Sequence, residues 1–129
     1  MTEKMIENGI TLALRMAEEL SISISVAIVD EGGHLLAFRR MDNAILGSID
    51  VAIRKARTST LFPMSTRDFG AMCEQASLYG MLSTNDGLVG FAGGQPLLAG
   101  GGVGVSGGSA DQDDSIAAAI AMHINSPSS

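Results

Sequence analysis

The sequence predicts a single α+β domain in which helices flank one five-stranded antiparallel sheet. Segments with helical and alternating periodicity follow one another in the order helix, two strands, two helices, three strands, helix. The connections between successive strands are only a few residues long, which permits antiparallel hairpins and excludes parallel crossovers. The 129 residues are enough for one domain with its own core, so we expect a single domain over residues 1–129.

The first 40 residues are predicted to form a helix followed by a two-stranded hairpin. From residue 3 to residue 20, apolar residues recur at helical spacing while charged residues occupy the opposite side. Residues 21–29 alternate with period two, so that Ile24, Val26 and Ile28 share one strand face. The other face carries small, partly polar side chains, which indicates a shallow pocket or an interface. The DEGG segment over residues 30–33 predicts a hairpin turn, with the return strand over residues 35–39.

Two helices are predicted in the middle of the chain. The first begins near Asn43 or Ser48 and runs to about residue 60, with an apolar stripe facing the core. Pro63 ends this helix because proline cannot continue the hydrogen-bond ladder. Ser65, followed three residues later by a carboxylate, predicts a capped second helix that continues to about residue 75.

The glycine-punctuated second half is predicted to contain three short strands, over residues 88–92, 97–99 and 103–106. The GGQP segment over residues 93–96 and the GGG segment over residues 100–102 are expected to join them. A closing helix follows over residues 111–124. Because so few helices are available to cover both faces of the sheet, we expect one thinly covered face and therefore a homo-oligomer.

The connection into the closing helix has the composition of a possible binding corner. Ser109 is expected to cap the helix, and Gln112 completes a capping box. Gly107 and Gly108 place bare backbone beside the free N–H groups of the helix start, an arrangement that suits an anion. The alternative is a tight strand-to-helix connection without a ligand, because the spacing matches neither common nucleotide-binding glycine motif.

Composition and charge argue against several classes of partner. The net charge of −6 and the scarcity of aromatic residues argue against nucleic acid. No apolar run approaches the roughly 20 residues of a membrane span, and the charged, amphipathic N-terminus is unlike a signal peptide, so we expect a cytoplasmic protein with no membrane partner. The single cysteine, Cys73, excludes an internal disulfide and is expected to be a buried structural thiol.

Two side chains are candidates for a functional site. His34 lies at the predicted hairpin turn, where an exposed imidazole can ligate haem iron, and a plain turn residue is the alternative. His123 is explained by its place near a helix C-terminus, and no third ligand completes a zinc site. Lys55 has three open interpretations: a pair with a carboxylate such as Asp30 or Asp42, contact with an anionic ligand, or a place on a solvated helix face.

Four blocks of the sequence resemble the GlcG/HbpS family, which includes the C-terminal domain of PduO-type proteins. They are IVDEGGHLLAFRRMDNA from residue 28, RKA from residue 54, FAGGQPLL from residue 91 and GVGVSGGSADQD from residue 102. They follow the order of the family and span nearly the whole chain. The resemblance implies a profilin-like or PAS-like antiparallel sheet flanked by helices, assembled into dimers or larger oligomers.

The resemblance also implies where a ligand binds. Some members of the family resemble haem-binding or haem-degrading proteins, which makes His34 the candidate axial ligand of haem iron, with Arg39, Arg40 or Lys55 meeting the propionates. The candidate ligand-binding residues are Lys55, Arg39, Gly93, Gly94, Gly107, Gly108 and Ser109. The GGG segment departs from the more polar hairpin turn usual in the family, which leaves the role of that turn open.

Three hypotheses for function follow. The first is a cytoplasmic, oligomeric protein that binds haem or a related tetrapyrrole. The second is an accessory protein or enzyme of glycolate or diol catabolism, which holds a small carboxylate or phosphate with Lys55 and the Gly107–Gly108 corner. The third is an assembly partner without a ligand, in which the glycines serve close packing between subunits. The sequence contains no evident catalytic constellation that would decide whether any reaction is catalysed.

Overall fold

The structure, a computed structural model, describes residues 1–126, and residues 127–129 lie outside the described part. Residues 1–126 form four α-helices, four strands and a 3₁₀ turn over Met81–Ser83. The helices are α1 (Glu3–Glu19), α2 (Gly47–Leu61), α3 (Thr66–Gln75) and α4 (Ala110–Asn125). The strands are β1 (Ser25–Val29), β2 (Leu35–Arg40), β3 (Gly94–Pro96) and β4 (Gly102–Ser106). The predicted α+β class is confirmed, and none of these helices is long and apolar enough to span a membrane.

The four strands form one antiparallel sheet in the order β2-β1-β4-β3. β1 lies in the interior of the sheet, where Ala27 pairs with Phe38 of β2 on one side and with Gly104 of β4 on the other. β3 pairs with β4 and forms one edge, while β2 forms the other edge. β1 is buried along its whole length, so both of its faces pack against other parts of the domain.

The prediction of a five-stranded sheet is wrong in the second half of the chain. Residues 88–92 are not a strand, because helix side chains hold their backbone: the N–H of Val89 donates to Thr58 Oγ1 at 3.0 Å. Residues 97–99 belong to a tight turn, in which the N–H of Leu97 donates to the carbonyl of Gly101 at 3.0 Å. The strand of this region is β3, which lies within the predicted GGQP connection.

Helices cover both faces of the sheet over β1 and β4. α1 and α4 cover the face that carries Val26 and Ile28, and together they enclose the main core. α2 covers the opposite face, where Ala27 packs with Ala52 and Ala56. The expectation that the small-residue face of β1 lines a pocket or an interface is therefore wrong. No residue of β2 is buried, so this edge of the sheet is the thinly covered part.

Helix α2 lies directly on the backbone of β4. A Cβ added at Gly104 would overlap the carbonyl oxygen of Ala52, and one added at Gly102 would overlap that of Ala56. Any side chain at these two strand positions would push the helix off the sheet, and a close-packed core leaves no room for that movement. The contact also brings Lys55 of α2 within reach of the backbone of β4.

Local signals set the helix ends as predicted. Ser109 caps α4 by accepting a hydrogen bond from the N–H of Gln112, and the Gln112 side chain accepts one from the N–H of Ser109 at 2.9 Å. Ser65 caps α3 by accepting from the N–H of Asp68 at 3.1 Å. These bonds satisfy amide groups that a helix start otherwise leaves unpaired, and both can be recognised within four residues of sequence.

Helix α3 contributes to a second, smaller apolar cluster beside the main core. Phe69, Cys73 and Leu88 form its buried centre, and partly buried phenylalanine and methionine side chains surround them. Cys73 is a free, buried thiol, as expected. The cluster explains why the apolar residues after Gly87 pack against α3 instead of extending the sheet.

Candidate functional site

The hairpin between β1 and β2 carries the histidine singled out by the sequence. Asp30 organises its turn, because Oδ1 accepts hydrogen bonds from the N–H groups of Gly32 and His34, both at 2.9 Å. An aspartate that bonds to backbone groups shortly after it is a common turn-forming device. The turn therefore holds His34 in a defined position immediately before β2.

The imidazole of His34 is 83% exposed and lies against Asp30 on one side only. Its Nδ1 is 3.3 Å from Asp30 Oδ1. In the tautomer that directs the Nδ1 proton at this carboxylate, Nε2 keeps its lone pair for another partner. A carboxylate behind an imidazole orients metal-binding histidines and raises their basicity. His34 can therefore ligate a metal ion through Nε2.

The surroundings of His34 supply apolar surface and a cation. Leu35 and Leu36, which follow it in the chain, are 50% and 46% exposed. The stem of Arg57 passes beside the turn, since a Cβ placed on Gly33 would lie 3.9 Å from Arg57 Cγ, while its Nη2 donates to the carbonyl of Asn85 at 3.1 Å. Haem needs an axial donor, apolar contact for the macrocycle and cations for its propionates. The residues at this end of the hairpin fit that set of requirements.

The Asp30 carboxyl should titrate below its ordinary pKa of 3.8, because the backbone N–H of His34 donates to the ionised form. A lowered pKa in the folded state contributes stability that is present above pH 3.8 and is lost as the pH falls through the lowered pKa. In ¹H–¹⁵N spectra, we expect the amide signals of Gly32 and His34 to shift together at that pKa. The same titration of Asp30→Asn should lack this shift. If the Gly32 and His34 signals of the wild type did not change as the Asp30 carboxyl titrates, the two hydrogen bonds of the turn would be contradicted.

A second polar centre lies inside the domain, between α2, β4 and α4. The Lys55 side chain is only 1% exposed, and its Nζ donates to the carbonyl of Val105 at 2.7 Å. Nζ also lies 3.5 Å from Asp113 Oδ2 and 5.0 Å from the centre of the Phe91 ring, within the range of a cation–π interaction. The ammonium group is therefore surrounded by partners from its own chain.

Asp113 connects this centre to the glycine-rich start of α4. While Oδ2 faces Lys55, Oδ1 accepts a hydrogen bond from the N–H of Gly108 at 2.8 Å. Burial lowers the pKa of Lys55 and raises the pKa of Asp113, and the attraction between the two charges opposes both shifts. The Asp113 carboxylate therefore occupies the N–H group of Gly108, which the sequence analysis predicted could bind an external anion.

Comparison with known proteins decides the family. The model of a family described as haem degrading protein HbpS-like matches residues 1–121. The chain belongs to the HbpS-like family. This confirms the resemblance inferred from the four sequence blocks, which also span nearly the whole chain.

Three relatives of this HbpS-like domain are informative. The chain is 38% identical over 103 residues to an uncharacterized 15.0 kDa protein from the dhaT–dhaS intergenic region of Citrobacter freundii, covering 75% of this chain and 72% of the relative. It is 38% identical over 119 residues to the corrinoid adenosyltransferase PduO of the same organism, covering 88% of this chain and only 36% of PduO. A solved structure of a PduOC:heme complex is 32% identical with a TM-score of 0.90, covering 97% of this chain and 95% of that chain.

The geometry corrects the interpretation of Lys55 in this HbpS-like domain. Its carboxylate partner is Asp113, so a pair with Asp30 or Asp42 is wrong, and so is a solvated helix face. Sequence reasoning missed both Asp113 and Phe91, because neither lies near Lys55 along the chain and neither belongs to a recognisable motif. Contact between Lys55 and a ligand stays a prediction, and such a ligand would have to displace one of these partners.

The remaining predicted site residues fall in three separate places. Gly93 and Gly94 are buried close to Lys55, where a Cβ on Gly93 would lie 2.5 Å from Nζ. Gly107–Ser109 form the connection into α4, on the far side of Asp113 from Lys55. Arg39 is exposed on the edge strand β2, and His34 stands at the hairpin. Ligand contacts for all of these residues stay predictions, and the structure does not bring them into one site.

Proposed function

We propose that this HbpS-like protein binds haem, or a related tetrapyrrole, at the β1–β2 hairpin, with His34 as the axial ligand of the iron. The observation that carries the proposal is the 83% exposed imidazole, whose Nδ1 lies 3.3 Å from Asp30 Oδ1. The 32% identity to a protein solved as a haem complex, over nearly the full length of both chains, supports the choice of ligand. Bound haem would supply an iron centre that accepts a nitrogen ligand.

The proposal gives each neighbouring side chain a specific role. Asp30 orients the imidazole and strengthens its donor character, as carboxylates behind metal-binding histidines do. Leu35 and Leu36 offer apolar surface to the macrocycle. Arg57 is our candidate cation for a propionate, because its stem passes beside the turn, whereas Lys55 is enclosed by Asp113. To reach a propionate, the Arg57 guanidinium would leave the carbonyl of Asn85, to which its Nη2 donates at 3.1 Å.

The rival proposal places a small carboxylate or phosphate at the Gly107–Gly108 turn. It has less support, since Asp113 already accepts the hydrogen bond of the Gly108 amide.

We also propose a cytoplasmic location, because the single cysteine is a buried free thiol and suits a reducing compartment. A homo-oligomer remains part of the proposal.

The test is a haem titration followed by absorbance, with His34→Ala and His123→Ala as a matched pair of histidine variants. We expect a saturable Soret shift in the wild type and in His123→Ala. His34→Ala should lose the spectrum of a coordinated imidazole and bind at least about tenfold more weakly, while Asp30→Ala should weaken binding by about 10–100-fold. His34→Ala and Asp30→Ala should keep the far-UV circular dichroism of the wild type.

Two outcomes would overturn parts of this proposal. An unchanged spectrum and affinity in His34→Ala would remove His34 as the ligand while leaving haem binding intact. A wild-type titration no different from that of an unrelated acidic protein would remove haem altogether. In that case a rise of Tm with small carboxylates or phosphate would favour the rival proposal, because a ligand that binds the folded state stabilises it.

A further inference from the structure

A cavity of about 610 Å³ lies beside α3, and neither His34 nor Lys55 lines it. One of its walls is α3 itself, through Cys73 and Glu74. The segment that follows α3, residues 78–83, forms the other wall. Binding sites for small molecules commonly have volumes of about 300–1,000 Å³, so the size of this cavity suits a small organic ligand.

The turn after α3 holds the second wall in place. Ser77 has a positive φ of 54°, and the N–H of Leu78 donates to the carbonyl of Cys73 at 2.9 Å. This hydrogen bond is the one that closes a Schellman motif, and it directs the chain back along the helix. Further on, the N–H of Leu88 donates to the carbonyl of Leu82 at 2.8 Å, which ties the wall to the apolar cluster of α3. The cavity is therefore formed before any ligand binds.

Three glycines leave the space of the cavity open. Gly70 and Gly90 both line it, and their backbones are in contact, because a Cβ on Gly70 would overlap the carbonyl oxygen of Gly90. Gly80 lines the opposite wall, where a Cβ would meet no atom within 4 Å. No side chain from these three positions fills the cavity, so a ligand can approach the backbone closely.

Large apolar side chains line the cavity although water reaches them. Leu78 and Leu82 are both about 40% exposed, and Tyr79 between them is 86% exposed. Tyr79 is the only tyrosine of the chain, and its side chain makes no hydrogen bond within residues 1–126. Exposed apolar and aromatic side chains that gather beside a cavity mark a binding surface.

The charge of the cavity indicates the class of ligand. Among the described residues that line it, only Glu74 is charged. The Glu74 side chain is exposed and forms no ion pair with another residue in the described part of the chain. An unpaired carboxylate favours a cation, and the face of an aromatic ring such as that of Tyr79 attracts the same charge. The leucine side chains favour an apolar body attached to that cation.

We propose that this cavity binds a small organic ammonium ion. The positive charge lies beside Glu74 and the ring of Tyr79, and the apolar part of the ligand packs between Leu78 and Leu82. The proposal is independent of haem binding at the hairpin, because the Glu74 carboxylate repels the propionates of a porphyrin.

Isothermal titration calorimetry with phenethylammonium tests whether the cavity is the site. Gly80→Phe places a ring at a position that lines the cavity, and its φ of −120° is open to any residue. Gly47→Phe is the matched control, since a Cβ there also meets nothing within 4 Å but Gly47 does not line the cavity. We expect saturable binding to the wild type and Gly47→Phe, and its loss in Gly80→Phe with an unchanged circular dichroism spectrum. A wild type that does not bind, or equal binding by both variants, would overturn the proposal.

A second comparison tests the class of ligand. Glu74→Gln should weaken binding of phenethylammonium about two- to fivefold, the range of an exposed ion pair. Glu7→Gln, which removes an exposed carboxylate from α1, should leave the affinity unchanged. Phenethyl alcohol has nearly the same size without the charge, so it should bind the wild type more weakly. Equal affinities for the ammonium and the alcohol would rule out an ammonium ion as the preferred ligand.

Cys73 gives an independent report of where the probe binds. It lines the cavity and is the only cysteine of the chain, so alkylation by iodoacetamide modifies a single, known position. Phenethylammonium should slow this alkylation in the wild type and in Gly47→Phe, with the concentration dependence found by calorimetry. An alkylation rate that does not change while the probe binds would place the probe elsewhere and contradict the proposal.

Discussion

Asp113→Ala should lower the free energy of unfolding by about 3–5 kcal/mol, the cost typical of removing one partner of a buried ion pair. The substitution leaves the ammonium of Lys55 enclosed without its carboxylate, and the N–H of Gly108 without its acceptor. Desolvation is the larger influence on both ionisable groups, which is why neither tolerates being left alone. Urea unfolding followed by circular dichroism measures the change.

Two further variants distinguish the stability lost by breaking the buried ion pair from the stability lost by removing any aspartate of α4. Asp111→Ala, which removes an exposed partner of Arg67 on the first turn of α4, should cost less than about 1 kcal/mol. The double variant Lys55→Met, Asp113→Leu removes both charges, so it should be more stable than Asp113→Ala alone. Equal losses in Asp113→Ala and Asp111→Ala would show that the Lys55 centre does not hold α4 to α2.

Gly104→Ala should cost about 3 kcal/mol, at the upper end of the range for overpacked cores. The added Cβ overlaps the carbonyl oxygen of Ala52 and lies 2.7 Å from the backbone nitrogen of Ala56. Backbone atoms of a helix cannot rotate away as a side chain can, so the whole of α2 has to shift. That shift would also strain the contacts of Lys55, which makes repacking more difficult.

Gly80→Ala is the matched control for Gly104→Ala, since a Cβ at Gly80 meets nothing within 4 Å. It should change the free energy of unfolding by less than about 0.5 kcal/mol, as substitutions on open surfaces do. The same urea experiment measures both proteins. If Gly104→Ala were as stable as Gly80→Ala, the contact between α2 and β4 would be looser than the structure shows.

Features encoded by neighbouring residues were predictable from the sequence. The capping box of Ser109, the cap at Ser65 and the turn built on Asp30 each involve residues no more than four positions apart. Their hydrogen bonds are local, so residue type and spacing are sufficient to recognise them. The exposed position of His34 follows from the same turn.

Features that depend on distant partners were not predictable. Residues 88–92 have the composition of a strand, but Thr58 and the apolar cluster of α3 hold them in place. Lys55 lies among apolar and small side chains on α2, which could have indicated burial, whereas its partner Asp113 is 58 residues away. No rule of local spacing connects two positions so far apart, and tertiary packing decides between the alternatives.

The central position of β1 has a consequence for how the chain folds during synthesis. β1 pairs with β4, and Val29 of β1 pairs with Gly102. This inner ladder of the sheet can therefore form only after Gly102 has been synthesised. Closing so long a loop is slow compared with forming the local β1–β2 hairpin. A nascent chain that has not yet reached Gly102 therefore leaves the inner edge of β1 open, and its apolar residues are exposed to aggregation at that stage.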